Sequence, residues 1–319
     1  MEISSRWNDG VFTAHMERLV WTASPVVRRY LHRLVSGNPH CDWLTFVEAE
    51  HLPARVEKAL VLGCGSGWLE RALSERGRFG RILACDAAPA TVDRARREAE
   101  KAGLSNIEYR VLDLEHAALE GPYDAIVAND VLHHITDLEG IFARIHAALA
   151  PGGKFVFNEY VGPNRFQYSE ERMHLINRYF RLLPDELRRA FPSGDTLWRR
   201  ERLTPERVIA DDPTEAVRSE DVLPVARQAF HVEREYPYGG GLLNPLLFGI
   251  IPNFRDDVPA HVRLLEALCQ VEERLDGSGA IEADFQVFVG SRRNGNGSGE
   301  GGGAEAESPS RAEAGRTAT

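Results

Sequence analysis

The chain is short of cysteine, of positive charge and of long apolar runs, and each shortage closes off a class of function. Its four cysteines, Cys41, Cys64, Cys85 and Cys269, are widely spaced and form no C-x-x-C pair. Neither a structural zinc site nor a disulfide framework is indicated, and the residues read as thiols of a reducing compartment. Lysine and arginine number 38 against 48 acidic residues, a formal charge of -10. Non-specific nucleic-acid binding needs clustered cations, so a small-molecule partner is favoured over nucleic acid. The most apolar later stretch, residues 239–254, is too short to span a bilayer and is interrupted by Asn244, Pro245 and Pro252. Met1 to Glu17 lacks the apolar run of a secretory signal. A cytoplasmic protein with no membrane span is the expectation. No internal repeat is visible, and the oligomeric state stays open.

What is present is an alternation of short apolar runs with helical periodicity. Residues 1–53 read as a helical preface, with Val27, Leu31 and Leu34 and then Trp43, Phe46 and Val47 at helical spacing. From residue 54 strands are expected at 59–62, 81–85, 107–112, 123–128 and 154–160, with helices at 68–75, 89–101 and around 138–149. This pattern implies parallel crossovers: an α/β fold with a doubly wound, mostly parallel, seven-stranded Rossmann-like sheet whose ligands bind at the carboxyl ends of the strands. Residues 163–230 read as a helical lid inserted after the fifth strand, with helices at 170–183 and 185–191. Strands at 231–238 and 283–289 around a helix at 260–275 complete the sheet within 231–290. From 291 to 319 the composition falls to Gly, Ser, Glu and Ala and predicts a disordered tail.

The densest chemistry lies in Ala59-Leu60-Val61-Leu62-Gly63-Cys64-Gly65-Ser66-Gly67-Trp68, a buried strand running through alternating glycines into a helix. Such a turn lets backbone amides approach a ligand with no Cβ in the way, although glycine turns also form with nothing bound. Asp86 ends the next strand, where a carboxylate can accept hydrogen bonds from both ribose hydroxyls of a nucleoside or, equally, cap the helix that starts at Pro89. Asp113 repeats the placement one strand away and is also a natural turn former.

The phrases L-V-L-G-C-G-S-G, A-C-D-A-A-P, V-L-D-L, Y-D-A-I-V-A-N-D-V-L-H-H-I and L-A-P-G-G-K-F-V, spread over Ala59 to Gly162, resemble the class I S-adenosylmethionine-dependent methyltransferases in content and order. The resemblance implies S-adenosyl-L-methionine as cofactor. Gly63, Cys64, Gly65 and Gly67 would bracket its methionine part, Asp86 and Ala87 the ribose, and Asp113 with Leu114 the adenine. Asn129, counted with the cofactor residues, would mark the opening of the substrate pocket, and His134 is expected in a structural or cofactor-side role. Many members carry an acid two positions before the first glycine, and here Val61 stands there. The continuation N-E-Y-V-G-P-N-R-F-Q, with the earlier D-W-L-T-F, is similar to a bacterial biosynthetic subgroup and suggests a sugar-like or other small hydroxylated acceptor.

Methyl transfer to a hydroxyl requires a proton acceptor. His133, after the fourth strand, and Glu159, near the end of the fifth, are the candidate catalytic pair, although a histidine there is as readily a solvated surface residue and a strand-end carboxylate as readily pairs with an arginine. Tyr160, Arg165 and Gln167 at the root of the lid, and Arg218 farther along it, are candidate substrate contacts. Phe166 is expected to pack, and Arg218 has the competing option of pairing with Glu220 or Asp221. No metal-ligand spacing is visible. Two other readings stay open: an NAD(P)-dependent oxidoreductase, whose usual G-x-G-x-x-G would put glycine where Trp68 stands, and a non-catalytic cofactor-binding or partner-binding scaffold.

Overall fold

The computed structural model describes residues 18–293. The expected absence of a signal in Met1 to Glu17 and the tail beyond Arg293 lie outside them. Helices α1 (Pro25–Ser36) and α2 (Trp43–Glu50) come first, each started by a side-chain cap: Ser24 Oγ accepts from Val26 N and Asp42 from Thr45 N. The alternating region follows as β1 (Val56–Leu62), α3 (Trp68–Glu75), β2 (Phe79–Asp86), α4 (Pro89–Lys101), β3 (Ile107–Val111), β4 (Tyr123–Asn129), α5 (Leu138–Ala148) and β5 (Leu149–Tyr160). After it come α6 (Glu170–Phe180), α7 (Pro205–Asp211), α8 (Ser219–Ala229), β6 (Phe230–Pro237), α9 (Leu243–Leu247), α10 (Pro259–Gly277) and β7 (Phe285–Arg292).

The seven strands form one sheet in the order β3-β2-β1-β4-β5-β7-β6. The five from β3 to β5 run parallel, and β7 runs antiparallel to both its neighbours. In β1, Ala59 and Val61 pack into one core layer with α1, α3 and α4, while Leu60 and Leu62 pack into the other with α5 and α8. A strand buried on both faces has no polar side to alternate, which is why 59–62 reads as an unbroken apolar run. Each fully buried leucine or phenylalanine contributes about 2–3 kcal/mol by leaving water. Strand order reverses between β1 and β4, so their carboxyl ends diverge and open a crevice.

The sheet and its crossovers follow the sequence expectation, with local departures. Strand β5 begins at Leu149, ahead of the expected Lys154, because Leu149 pairs with Tyr123 across an irregularity that absorbs Pro151-Gly152-Gly153. Strand β7 runs on to Arg292, so Ser291 and Arg292, assigned to the tail by composition, are paired with Lys154 and Phe230. Helix α6 stops at Phe180, ahead of Leu183, since Pro184 disfavours helical backbone before it. The helix expected over 185–191 shrinks to a 3-10 turn, Asp185–Arg188. There the Arg188 guanidinium satisfies the carbonyls of Leu183 and Leu197, and Pro192 follows.

Candidate active site

The glycine turn sits at the carboxyl end of β1. Gly63, Gly65 and Gly67 have φ of 63°, 51° and 84°, a conformation L side chains rarely adopt. A Cβ on Gly63 would stand 2.5 Å from Val131 Cγ2, and one on Gly67 2.8 Å from Ala95 Cβ, whereas nothing lies within 4 Å of the same position on Gly65. The outer two glycines are closed against the protein and the middle one faces open space, the side from which a ligand can reach the loop amides. Asp86 spans the turn: Oδ2 accepts from Gly65 N and Oδ1 from Ala88 N, each at 3.0 Å. The alternative expected for Asp86, capping of the following helix, is not what the structure has: Ala88 is the N-cap and no side chain caps it, and Asp86 instead ties the glycine turn to the residue before the helix. Leu114 is buried, and Asp113 is exposed and accepts from Glu115 N at 3.0 Å. Val61 points wholly into the core. These residues fit a nucleoside bearing a methionine-like arm: open space over Gly65, a carboxylate at the β2 end, and no Cβ where the arm would cross.

Behind the turn lies an acid absent from the sequence reading. Glu70, in the first turn of α3, is fully buried, and among the described residues its side-chain neighbour for a hydrogen bond is the Tyr109 hydroxyl, which stands outside good bonding geometry. Burial raises the Glu70 carboxyl to about 7. A carboxyl held above its unfolded value near 4.5 contributes stability at low pH that is lost as pH rises through 7. Glu70→Gln is therefore expected to leave stability at pH 4 nearly unchanged and to raise it by roughly 2–3 kcal/mol at pH 8. Urea unfolding of both proteins at the two pH values checks this. An equal effect at both would show that the carboxyl is not the cause.

A cavity of about 1410 Å³ opens at the carboxyl ends of β4 and β5; Gly63, Gly65, Gly67 and Asp86 are not among the residues that line it. Single small-molecule sites are about 300–1,000 Å³, so this one has room for two ligands. Asn129, His133, His134 and Tyr160 line it, as does Trp68 immediately after the glycine turn. The helical preface closes the opposite wall with Trp21, Leu31 and Trp43.

Glu159 and His133 meet on its floor. Glu159 is fully buried; Oε2 accepts from Val131 N at 2.8 Å and Leu132 N at 2.6 Å, and Oε1 accepts from Tyr160 N at 2.9 Å and from His133 Nδ1 at 2.5 Å. Four donors leave this carboxylate nothing to offer an acceptor hydroxyl. The expectation that Glu159 pairs with an arginine or orients substrate is replaced by a role in fixing the His133 ring. With a proton on Nδ1, the basic nitrogen is Nε2, which stands 3.6 Å from Glu215 Oε1. Burial opposes charge on His133, but the charge and hydrogen bond of Glu159, followed by Glu215 and Asp130, outweigh it and raise the imidazole to about 9. His134 goes the other way, to about 3, through burial and then the charge on His133. Its Nδ1 contacts Thr214 Oγ1 at 3.0 Å.

The lid residues named from sequence divide. Tyr160 faces the cavity with its ring 6.4 Å from that of His133. Arg165 turns inward to the lid itself, donating to the carbonyls of Glu215 and Pro213 at 2.7 and 2.8 Å. Gln167 donates to the carbonyls of Arg165 and Leu203. Phe166 packs on Tyr160, 5.1 Å between rings. Arg218 lies outside the cavity lining and forks onto Glu139 at 2.7 and 2.9 Å while also pairing with Asp221 and the Thr136 carbonyl. It fastens the lid to the start of α5. The polar run containing Arg218 does supply a site residue, but it is Glu215, brought in because Val217 N bonds the His133 carbonyl at 3.0 Å and Ala216 adopts φ 47°. Asn158 and Tyr238 were also missed: Tyr238 donates to Asn158, Asn158 to Asn129 at 2.8 Å, and Asn129 to Asp130 at 2.9 Å, a polar chain along one wall. His133, His134 and Glu215 each place one donor atom within 4.8 Å of the others, a compact grouping that no local spacing in the sequence announces.

Residues 60–157 match the family model described as methyltransferase domain. The chain is 36% identical over 131 residues to a ubiquinone biosynthesis O-methyltransferase of Methylocella silvestris, covering 41% of this chain and 50% of that one. It is 31% identical over 145 residues to a demethylmenaquinone methyltransferase of Thermus thermophilus, covering 44% and 64%. The chain thus spans about half to two thirds of the length of these curated relatives. A solved Haemonchus contortus phosphoethanolamine N-methyltransferase in complex with S-adenosyl-L-methionine aligns at 14% identity and TM-score 0.49 over 88% of this chain and 60% of that one.

Proposed function

We propose that this chain, whose residues 60–157 belong to the class I S-adenosylmethionine-dependent methyltransferases, moves a methyl group to a hydroxyl of a small ring-bearing acceptor, sugar-like or a secondary metabolite. The observation that carries the reading is a glycine turn, open over Gly65 and bonded to Asp86, that packs at Gly63 against Val131, two residues before the His133 that lines the cavity with its ring held by buried Glu159. Gly63, Gly65 and Gly67 with Asp86 would hold the cofactor. When bound, S-adenosylmethionine supplies an electrophilic methyl on a sulfonium that leaves without needing a proton.

The protein's own work is alignment and deprotonation. Trp43 and Trp68, which line the cavity and keep exposed surface, offer faces on which a ring can stack. His133 Nε2 takes the hydroxyl proton as the oxygen–methyl bond forms and the sulfur–methyl bond breaks, and Glu159 stabilises the resulting imidazolium. Calorimetric titration with S-adenosylmethionine and, separately, NADH tests the cofactor, and mass spectrometry of an acceptor pool tests turnover. Binding of the former alone with one methyl gained per product supports the proposal. NADH preference would favour the oxidoreductase, and binding without any product the scaffold.

The grouping of His133, His134 and Glu215 motivates one second reading, in which a divalent ion and not the free imidazole activates the hydroxyl. Methyl transfer is expected to survive exhaustive chelation. Loss that a divalent ion restores would move the chemistry to that ion.

A further inference from the structure

Four arginines line the cavity, and three of them are committed. Arg28 donates to the carbonyls of Thr22 and Ala23, each at 2.9 Å. Arg202 bonds the Tyr168 carbonyl and pairs with Glu170 at 2.9 Å. Arg207 pairs with Asp211 at 3.0 Å. Arg200 differs: among the described residues its guanidinium has neither a hydrogen-bond acceptor nor a carboxylate. Among the described residues the Phe180 ring lies 5.6 Å from Arg200 Cζ. Enclosure without a counter-charge lowers it to about 10.

The position is held, not incidental. The Asn177 side chain accepts from Arg200 N at 2.8 Å and donates to Arg200 O at 3.0 Å, so one amide fixes the backbone from which the guanidinium projects. Arg200 is half-buried at the cavity wall, and its guanidinium donors, unclaimed by any protein acceptor among the described residues, are open to a ligand. The acids of the lining are already engaged: Asp130, Asp212 and Glu215 gather around His133, Glu201 pairs with Arg199, Asp211 with Arg207, and Asp42 accepts from Thr45, while Arg200 is the cation left unmatched. A ligand with a negative group would be repelled by the carboxylates around His133 and drawn to Arg200, leaving its neutral hydroxyl for His133 Nε2.

We infer that Arg200 is the recognition point for an oxyanion on the acceptor, and that the acceptor is a hydroxylated acid: a carboxylate or phosphate on a ring-bearing body whose hydroxyl receives the methyl. The inference rests on the proposed methyl transfer for its account of the hydroxyl, but the anion subsite stands on Arg200 alone. Charge-assisted bonds from an arginine fork are among the strongest polar contacts available, and they suit both planar and tetrahedral oxyanions.

The test is binding of 4-hydroxybenzoate, 4-hydroxybenzamide and 4-hydroxyphenyl phosphate, followed by tryptophan fluorescence in the presence of S-adenosylhomocysteine. The wild type is expected to bind one or both acids at least tenfold more tightly than the amide. Arg200→Met should erase that difference without changing amide affinity, and Arg200→Lys should keep part of it. Preference for the carboxylate or for the phosphate identifies which oxyanion the acceptor carries. Equal binding of acids and amide, no binding of either acid, or a preference that persists in Arg200→Met would overturn the inference. Failure of the protein to bind S-adenosylhomocysteine would count against methyl transfer, and the acid-to-amide ratio, read also without it, would still decide the subsite.

Discussion

Replacing His133 with alanine is expected to lower kcat by about two to four orders of magnitude and to leave affinity for S-adenosylmethionine within a few fold, the range for removal of a general base from an otherwise intact site. The expectation follows from where the imidazole sits. Its Nδ1 is engaged by a fully buried carboxylate and its Nε2 opens onto the cavity. Because neighbouring carboxylates raise the imidazole to about 9, most of the wild-type protein holds it protonated at neutral pH. Only the neutral form accepts a proton, so kcat/KM should rise about tenfold per pH unit toward a plateau near pH 9. The rise should vanish in His133→Ala.

Glu159→Gln should move the inflection to lower pH, since it removes the largest influence favouring the charged imidazole, while reducing the plateau through a poorly held ring. Combined with His133→Ala it should cost little more than the single change, because both act through one nitrogen. A pH-independent rate in the wild type, or full activity in His133→Ala, would remove His133 from the chemistry.

The fold was legible where one physical cause dominates. Strands β1, β2, β4 and β5 are buried on both sides, so they appear in sequence as apolar runs, and the helices between them carry one apolar face each. The glycine turn and Asp86 were legible because backbone conformation there depends on local residue types. The rest of the site was not, because distant segments build it. Glu215 reaches His133 from 82 positions away along the lid, Tyr238 reaches Asn158 from 80, and Trp21 enters from a helical preface that no motif links to the cavity. Nothing local separates Glu215, which turns in, from Arg218, which turns out to Glu139; the left-handed backbone at Ala216 decides it. Arg200 escaped for a related reason. A cation is recognised as unmatched only when every acid that might have paired with it has been placed elsewhere.

Arg172→Met is expected to destabilise the protein by about 3–5 kcal/mol, the range for a buried ion pair losing one partner. Arg172 projects from α6, the first lid helix, over the Tyr168 ring at 4.5 Å; it donates to the Gly241 carbonyl at 2.8 Å and pairs with Asp284 at the start of β7. The Asp284 side chain is 1% exposed, so no solvent stands ready to replace the guanidinium. Burial already raises the Asp284 carboxyl, with Arg172 working against it, and removing Arg172 should raise it further. A carboxyl raised in the folded state favours folding below its unfolded value and ceases to do so as pH climbs. Stability of Arg172→Met should therefore fall more steeply with rising pH than that of the wild type, and Arg172→Met combined with Asp284→Leu should recover much of the loss. The pair also fixes the root of the lid. The Asp284 carbonyl accepts from Val161 N at 2.7 Å and its carboxylate lies over Gly162, where a Cβ would stand 2.5 Å from Oδ1. At a temperature where Arg172→Met remains folded, a loosened root should raise KM for an acceptor bound, as proposed, in the cavity to which residues 200–215 contribute, and leave S-adenosylmethionine affinity, proposed to be set at the ends of β1 and β2, nearly unchanged. Chemical denaturation across pH and a KM comparison for both substrates measure the two effects. A small, pH-independent loss of stability would mean that the ion pair contributes no more than an exposed one.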